Sequence, residues 1–187
     1  MSRRRSVLAI VVHWTRADLT RACVEALAAS TLRPEMLVVD NGSACADWAR
    51  IVTSVPGVSL LTLPHNLGFT GGMNAGIAWA LDAGFDSLWL LYDDAIVRTD
   101  ACEALADVDA RHAPGAWSAT LIDEAGRPGH VGGRVGLRGE ALTYRLADDF
   151  DTSGDGLPWL TGTALFAAAD VFRRVGSFDE RYFAYWE

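Results

Sequence analysis

The chain opens on an apolar run, Val7–Val12, with no polar residue interleaved. A strand wetted on one side would alternate, so this run predicts a strand buried on both faces. From Thr15 the period changes. Leu19, Cys23, Ala26 and Leu27 recur at helical spacing, with Asp18 in the first turn and Pro34 beyond the end. Met36–Val39 predicts a second strand, and Asp40-Asn41-Gly42-Ser43 after it is a turn signature. Ala44–Val52 reads as a short helix, Val58–Leu63 as a third strand, and Gly72–Ala83 as a helix closed by Gly84. Ser87–Leu91 is a fourth apolar strand running into Tyr92-Asp93-Asp94. Such alternation predicts an α/β fold with a doubly wound, mostly parallel sheet that binds ligands at the carboxyl ends of its strands.

Residues 1–100 carry that pattern, and residues 115–187 read differently. Glycines from Gly126 to Gly139 break residues 123–157 into short pieces, and acids crowd Asp148–Asp155. This predicts a small hairpin-rich excursion within a single domain spanning 1–187. Apolar character returns at Ala164–Ala169, followed by a helical turn to Val175 and Gly176. The chain then stops in Phe183-Ala184-Tyr185-Trp186-Glu187, aromatic where chain ends are normally polar and frayed. That end reads as the cut edge of a longer domain, and its apolar surface would also suit a homodimer.

Composition removes several function classes. All sixteen basic residues are arginine, which excludes a phosphate-loop lysine, a Schiff-base lysine and a lysine general base. A net charge of −8 opposes nucleic-acid binding through phosphate neutralisation. Cys23, Cys45 and Cys102 include no C-x-x-C pair, so neither a disulfide framework nor a zinc site is expected, and a reducing cytoplasm suits them. No apolar run reaches the ~18 residues of a membrane span. Arg3-Arg4-Arg5 would support at most a peripheral contact with anionic lipid at the inner membrane face.

Four features fall on one edge of the expected sheet. Asp93-Asp94 past the fourth strand suits an oxygen-ligand cation, Mg²⁺ or Mn²⁺, that grips a diphosphate, or else forms a solvated turn. Asn66–Asn74, with Gly68, Gly71 and Gly72, lets backbone N–H groups approach an anion at a helix start, or simply makes a tight turn. Its spacing is not the dinucleotide-binding G-x-G-x-x-G. Asp40 ends the second strand as a ligand contact or a turn former. Trp14 ends the first, as a stacking platform for a base or as packing. His13, His65, His112 and His130 show no metal-ligand spacing.

These residues resemble a known family. Val7–Val12 with Trp14, Val38-Val39-Asp40-Asn41-Gly42-Ser43, Asn66-x-Gly68-Phe69-x-Gly71-Gly72-x-Asn74-x-Gly76 and Asp93-Asp94 are similar to the large inverting family of nucleotide-sugar glycosyltransferases with the GT-A fold, which includes rhamnosyl- and galactofuranosyltransferases. Gly176-x-Phe178-Asp179-Glu180-x-Tyr182-Phe183-x-Tyr185-Trp186-Glu187 resembles its acceptor-side segment.

The resemblance implies a role for each. Asp40 would hydrogen-bond a pyrimidine base on which Trp14 stacks. Asn66, Gly68, Gly71, Gly72 and Asn74 would line the ribose and diphosphate. Asp94 would bind the Mg²⁺ or Mn²⁺, and Asp93 the ribose or sugar. Trp159, Thr161 and Gly162, with Thr163, would flank the sugar and acceptor, and Asp179 would lie on the acceptor side. The donor would be UDP- or dTDP-linked, with galactofuranose or rhamnose preferred. The acceptor would be a hydroxyl of a polysaccharide, lipid-linked glycan or natural product.

Two departures stand out. Tyr92 occupies the place of a further acid in the metal motif. Glu187 aligns with the first acid of the pair whose second is the catalytic base, so either the base lies just past Glu187 or Glu187 itself serves. A non-catalytic nucleotide-binding module is the alternative reading. A sugar-1-phosphate nucleotidyltransferase would need a glycine-rich loop where His13-Trp14-Thr15-Arg16 stands.

Overall fold

The computed structural model describes residues 5–43, 48–112, 114–129, 132–136, 141–144 and 156–184. Strand β1 (Val7–His13) lies at the centre of a six-stranded sheet. It pairs in parallel with β2 (Glu35–Asp40) on one side and β4 (Ser87–Tyr92) on the other, and β2 carries β3 (Val58–Thr62) on its outer edge. The sheet continues antiparallel through β9 (Ala164–Ala168) to β5 (Ala116–Ser118). This is the expected mostly parallel α/β sheet, with an antiparallel extension contributed by the second half of the chain.

Alternation along β1 divides the core. Val7, Ala9 and Val11 pack with Cys23, Val24 and Leu27 of α1 (Ala17–Ala28), and with Trp48 and Val52 of α2 (Trp48–Thr53). Leu8, Ile10 and Val12 pack on the opposite face with Met73, Ile77 and Ala80 of α3 (Gly68–Asp82). Helices on both faces explain the unbroken apolar runs. The helix expected over Ala44–Val52 is observed from Trp48, its earlier residues lying outside the described ones.

Helix α3 starts earlier than the expected Gly72. Its glycines are there for proximity: a Cβ on Gly72 would stand 2.9 Å from Val12 Cγ1, and one on Gly76 2.5 Å from Ile10 Cγ2. The helix therefore sits down onto β1 and β2 only because these positions carry no side chain.

Helix α4 (Ala101–His112) matches no element expected from the sequence. Its buried stripe is Cys102, Leu105 and Asp109, so one of the three core-facing positions is a carboxylate and the periodicity is hidden. Asp109 accepts from Arg5 Nη1 at 2.8 Å, Trp117 Nε1 at 3.1 Å and Ser87 Oγ at 3.4 Å. The glycine-broken stretch holds β6 (Gly132–Val135) and β7 (Ala141–Tyr144), which form a small antiparallel sheet with β8 (Leu157–Leu160). Helix α5 (Ala169–Val175) follows β9 and buries Phe172 beside α3.

Candidate functional site

Parallel pairing brings three strand ends to one rim. His13 lies opposite Asp40, and Val12 opposite Tyr92. The residues that follow, Trp14, Asn41 and Asp93, therefore emerge side by side, and all three line a cleft of about 310 Å³. Asn66, Gly68 and Phe69 supply another wall, and Phe183 and Ala184 close the side over α3. Phe69 and Tyr92 meet edge to face, with ring centroids 4.5 Å apart.

Trp14 is 53% exposed, an open aromatic face on the cleft. It is turned out by a tight bend in which Arg16 N donates to Trp14 O at 3.0 Å and Thr15 adopts φ 67°. A β-branched residue in the left-handed region is strained, and such strain concentrates at functional sites. The sequence gives no sign of it.

Asp40 is buried beneath the rim at 4% exposure. Its Oδ1 accepts from Ser43 N at 2.8 Å, which tightens the Asp40–Ser43 turn as its composition predicts. Asn41, not singled out from the sequence, clamps the loop opposite. Its Oδ1 accepts from Leu67 N at 2.9 Å, and its Nδ2 donates to Gly68 O at 2.8 Å and Asn66 Oδ1 at 3.1 Å. Asn66 Oδ1 also takes Gly68 N at 2.7 Å. The amides of Asn41 and Asn66 thus fix the cleft wall from beneath.

The glycines divide by task. Gly68 lines the cleft with φ 75°, and a Cβ there would strike the carbonyl and ring of Phe183. Gly71 would meet Leu67 Cβ at 2.6 Å, and Gly72 meets Val12 and Asn41. Gly71 and Gly72 stand behind the cleft wall as spacers.

Asn74 faces away, toward the segment 178–184. Its Nδ2 donates to Phe178 O at 2.9 Å and Glu180 Oε1 at 3.0 Å, and its Oδ1 accepts from Phe178 N at 2.9 Å. Phe69 N donates to Phe183 O at 2.8 Å, and Thr70 Oγ1 donates to Tyr182 O. These bonds strap the segment across α3 and deliver Phe183 to the cleft. Asn74→Ala is expected to cost about 2 kcal/mol of stability in urea unfolding and to open 178–184 to limited proteolysis, since three bonds lose their partner. An unchanged cleavage pattern would contradict this anchoring.

Asp93 and Asp94 stand together at the end of β4 and face two clefts. Asp93 lines the first, and Asp94, exposed, lines a neighbouring one of about 330 Å³ with Ile96, Ile122 and Thr163. Burial, and then the adjacent Asp94 charge, push the Asp93 carboxyl up to about 6. A cation between them would relieve that repulsion, so the pair fits a hard divalent ion completed by phosphate oxygens and water. Among the described residues no three acids, histidines or cysteines converge as a metal cluster. Tyr92, at the place of the further acid, packs on Phe69.

The acceptor-side candidates are spread out. Thr161 and Thr163 share a 3.1 Å hydroxyl bond across Gly162, and Thr163 O accepts from Tyr92 N at 3.1 Å, which holds this turn against the end of β4. Trp159 is half-buried on β8 and lines neither cleft. Asp179 is paired with Arg181, Nε to Oδ2 at 2.9 Å, and that contact holds its carboxyl down at about 2. Glu187 lies outside the described residues. No helix among the described residues is long and apolar enough to cross a membrane.

The chain matches the family described as Glycosyl transferase family 2 over residues 8–174. It is 27% identical over 194 residues to an N-acetylglucosaminyl-diphospho-decaprenol L-rhamnosyltransferase of Mycobacterium tuberculosis, covering 86% of this chain and 61% of that protein. It is 30% identical over 191 residues to the galactofuranosyltransferase GlfT1 of Mycolicibacterium smegmatis, covering 98% of this chain and 63% of that one. The chain thus spans less than two thirds of the length of either relative. Among solved structures, Staphylococcus aureus TarS 1–349 in complex with UDP aligns with a TM-score of 0.68 at 15% identity, covering 96% of this chain and 52% of that one. A mannosyltransferase from Pyrobaculum calidifontis in complex with GDP-Man and Mn²⁺ aligns with a TM-score of 0.66 at 14% identity, covering 96% and 49%. These neighbours share the GT-A fold with the chain.

Proposed function

We propose that this chain, which belongs to glycosyl transferase family 2, is the donor-binding part of a metal-dependent, inverting enzyme that moves a sugar from a nucleotide sugar to an acceptor hydroxyl. The observation that carries this reading is the cleft at the aligned ends of β1, β2 and β4, with an open indole on one side and the Asp93 carboxylate on the other, next in the chain to the Asp94 that faces the neighbouring cleft. A pyrimidine would stack on Trp14 and donate its N–H to the Asp40 carboxylate. The ribose and diphosphate would lie along Asn66 and Gly68 toward Asp93. The activities for which the two mycobacterial relatives are named favour a rhamnosyl or galactofuranosyl donor, dTDP- or UDP-linked, and a glycan or lipid-linked acceptor.

Asp94, with Asp93 beside it, would hold Mg²⁺ or Mn²⁺, which supplies neutralisation of the departing diphosphate. The remaining work belongs to the chain. Trp14 and Asp40 anchor the base, and the clamp of Asn41 on the Asn66–Gly68 loop holds the phosphate wall in place before binding. The acceptor hydroxyl attacks the anomeric carbon from the face opposite the leaving group, and a carboxylate takes its proton. Glu187, or an acid following it, would be that base. One displacement inverts the carbon. Tyr92 is spent on packing with Phe69, and this favours a second reading, nucleotide binding without transfer.

Asp40→Asn tests the base contact. The amide keeps an acceptor for Ser43 N but loses the charge and presents a donor where a pyrimidine N–H would approach. UDP affinity is expected to fall about tenfold, with or without Mn²⁺, while affinity for inorganic diphosphate stays the same. An equal loss for diphosphate would refute the assignment.

A further inference from the structure

His13 and Thr20 lie behind the cleft, and neither is explained by core packing alone. Both are fully buried, and Thr20 is the hub. His13 Nδ1 is 2.7 Å from Thr20 Oγ1, which in turn stands 3.1 Å from Arg16 O and 3.4 Å from Asp93 Oδ2. The His13 ring is stacked on Trp48 at a centroid distance of 4.4 Å and an interplanar angle of 23°, so it is fixed in place.

The tautomer follows from which nitrogen has a partner. His13 Nε2 has none among the described residues. A proton there would bury an unsatisfied donor, which costs more than the lone pair that the other tautomer leaves. The proton therefore belongs on Nδ1, which donates to Thr20 Oγ1. Thr20 keeps its own hydroxyl proton for one of two acceptors, the helix carbonyl of Arg16 or the Asp93 carboxylate. A helical threonine ordinarily spends that proton on the carbonyl four residues back. A carboxylate is the stronger acceptor, because a hydrogen bond to an ionised group is roughly twice as strong as a neutral one.

We propose that Thr20 is a positioning residue, its oxygen held by His13 and its proton fixing the Asp93 carboxylate at the edge of the cleft. The proposal rests on the donor-cleft reading above and adds to it a role for two residues on β1 and α1 that do not reach the cleft themselves.

The test compares the unmodified chain with Thr20→Val and Thr20→Ser by calorimetric titration with UDP and Mn²⁺, with thermal melts run alongside. Valine keeps the shape and removes the hydroxyl, and serine restores it. Thr20→Val is expected to bind UDP about tenfold more weakly, and Thr20→Ser to recover to within about threefold. Uracil without metal, which lacks the ribose and does not reach Asp93, should bind all three chains alike. A purely structural role would lower the melting temperature of Thr20→Val without changing the ratio of UDP to uracil affinity, and that result would overturn the proposal. Nitrogen-15 spectra of His13 give a ligand-independent check: a proton on Nδ1 is expected, and one on Nε2 would overturn it equally. An unmodified chain that binds no UDP would remove the donor-cleft reading and this proposal together. Normal UDP binding by Thr20→Val would remove this proposal alone.

Discussion

Asp94→Asn is expected to reduce UDP affinity in the presence of Mn²⁺ to the metal-free level, a loss on the order of a hundredfold. The side chain is exposed at the end of β4, so removing its charge costs the fold little. It also removes one of the two causes that raise the Asp93 carboxyl, leaving burial. Asp93 alone then offers a single carboxylate, and the cation loses the second protein oxygen that joins it and the diphosphate to the chain. The readout is calorimetry at fixed UDP with and without Mn²⁺, with urea unfolding as the control. If Asp94→Asn retained full Mn²⁺ dependence, the cation would have to be held elsewhere.

The largest expected effect on stability lies at the opposite end of the sheet. Asp109→Ala should destabilise the chain by about 3 kcal/mol. Its carboxylate is fully buried and serves Arg5, Trp117 and Ser87 together, tying the start of β1 and β4 to α4 and β5. Without it, Trp117 Nε1 and Ser87 Oγ lose their acceptor, whereas Arg5, about half exposed, can turn back to water. That escape keeps the cost below that of a fully enclosed ion pair. Asp109→Asn, which preserves an acceptor, should cost about half as much. The check is the urea midpoint of the two variants. A loss below about 1 kcal/mol for Asp109→Ala would show that water replaces the carboxylate readily.

Asp109 also shows where the sequence could be read and where it could not. Strands β1, β2 and β4 were legible because each is covered on both faces and so carries a continuous apolar run, whereas the half-buried edge strand β3 keeps only a shorter apolar pattern. Helix α4 was not, because a charged residue occupies one of its inward positions and only the folded chain supplies the arginine, indole and hydroxyl that satisfy it. The start of α3 was misplaced for a related reason. Glycine normally signals a loop, but Gly68 and Gly71 belong to the first turn of the helix, left bare to admit Phe183 and Leu67.

At the site, residues that project from strand ends were legible: Trp14 and Asp93 fall on one cleft because the register of parallel strands is a local consequence of their pattern. Partnerships between distant segments left no such signal. Asn74 bonds a backbone 104 residues away, and Thr20 approaches a carboxylate 73 residues away. Asn41 sits within a turn signature that explains its residue type without revealing the loop it clamps.

On the proposed reading, the cleft between Trp14 and Asp93 binds the nucleotide end of a sugar donor with the help of a cation. Calorimetric titration of the folded chain with UDP and dTDP, each with and without Mn²⁺, tests it most directly. Saturable one-to-one binding of at least one of them is expected, tighter with Mn²⁺. A chain shown to be folded that binds neither nucleotide, with or without the metal, would contradict it.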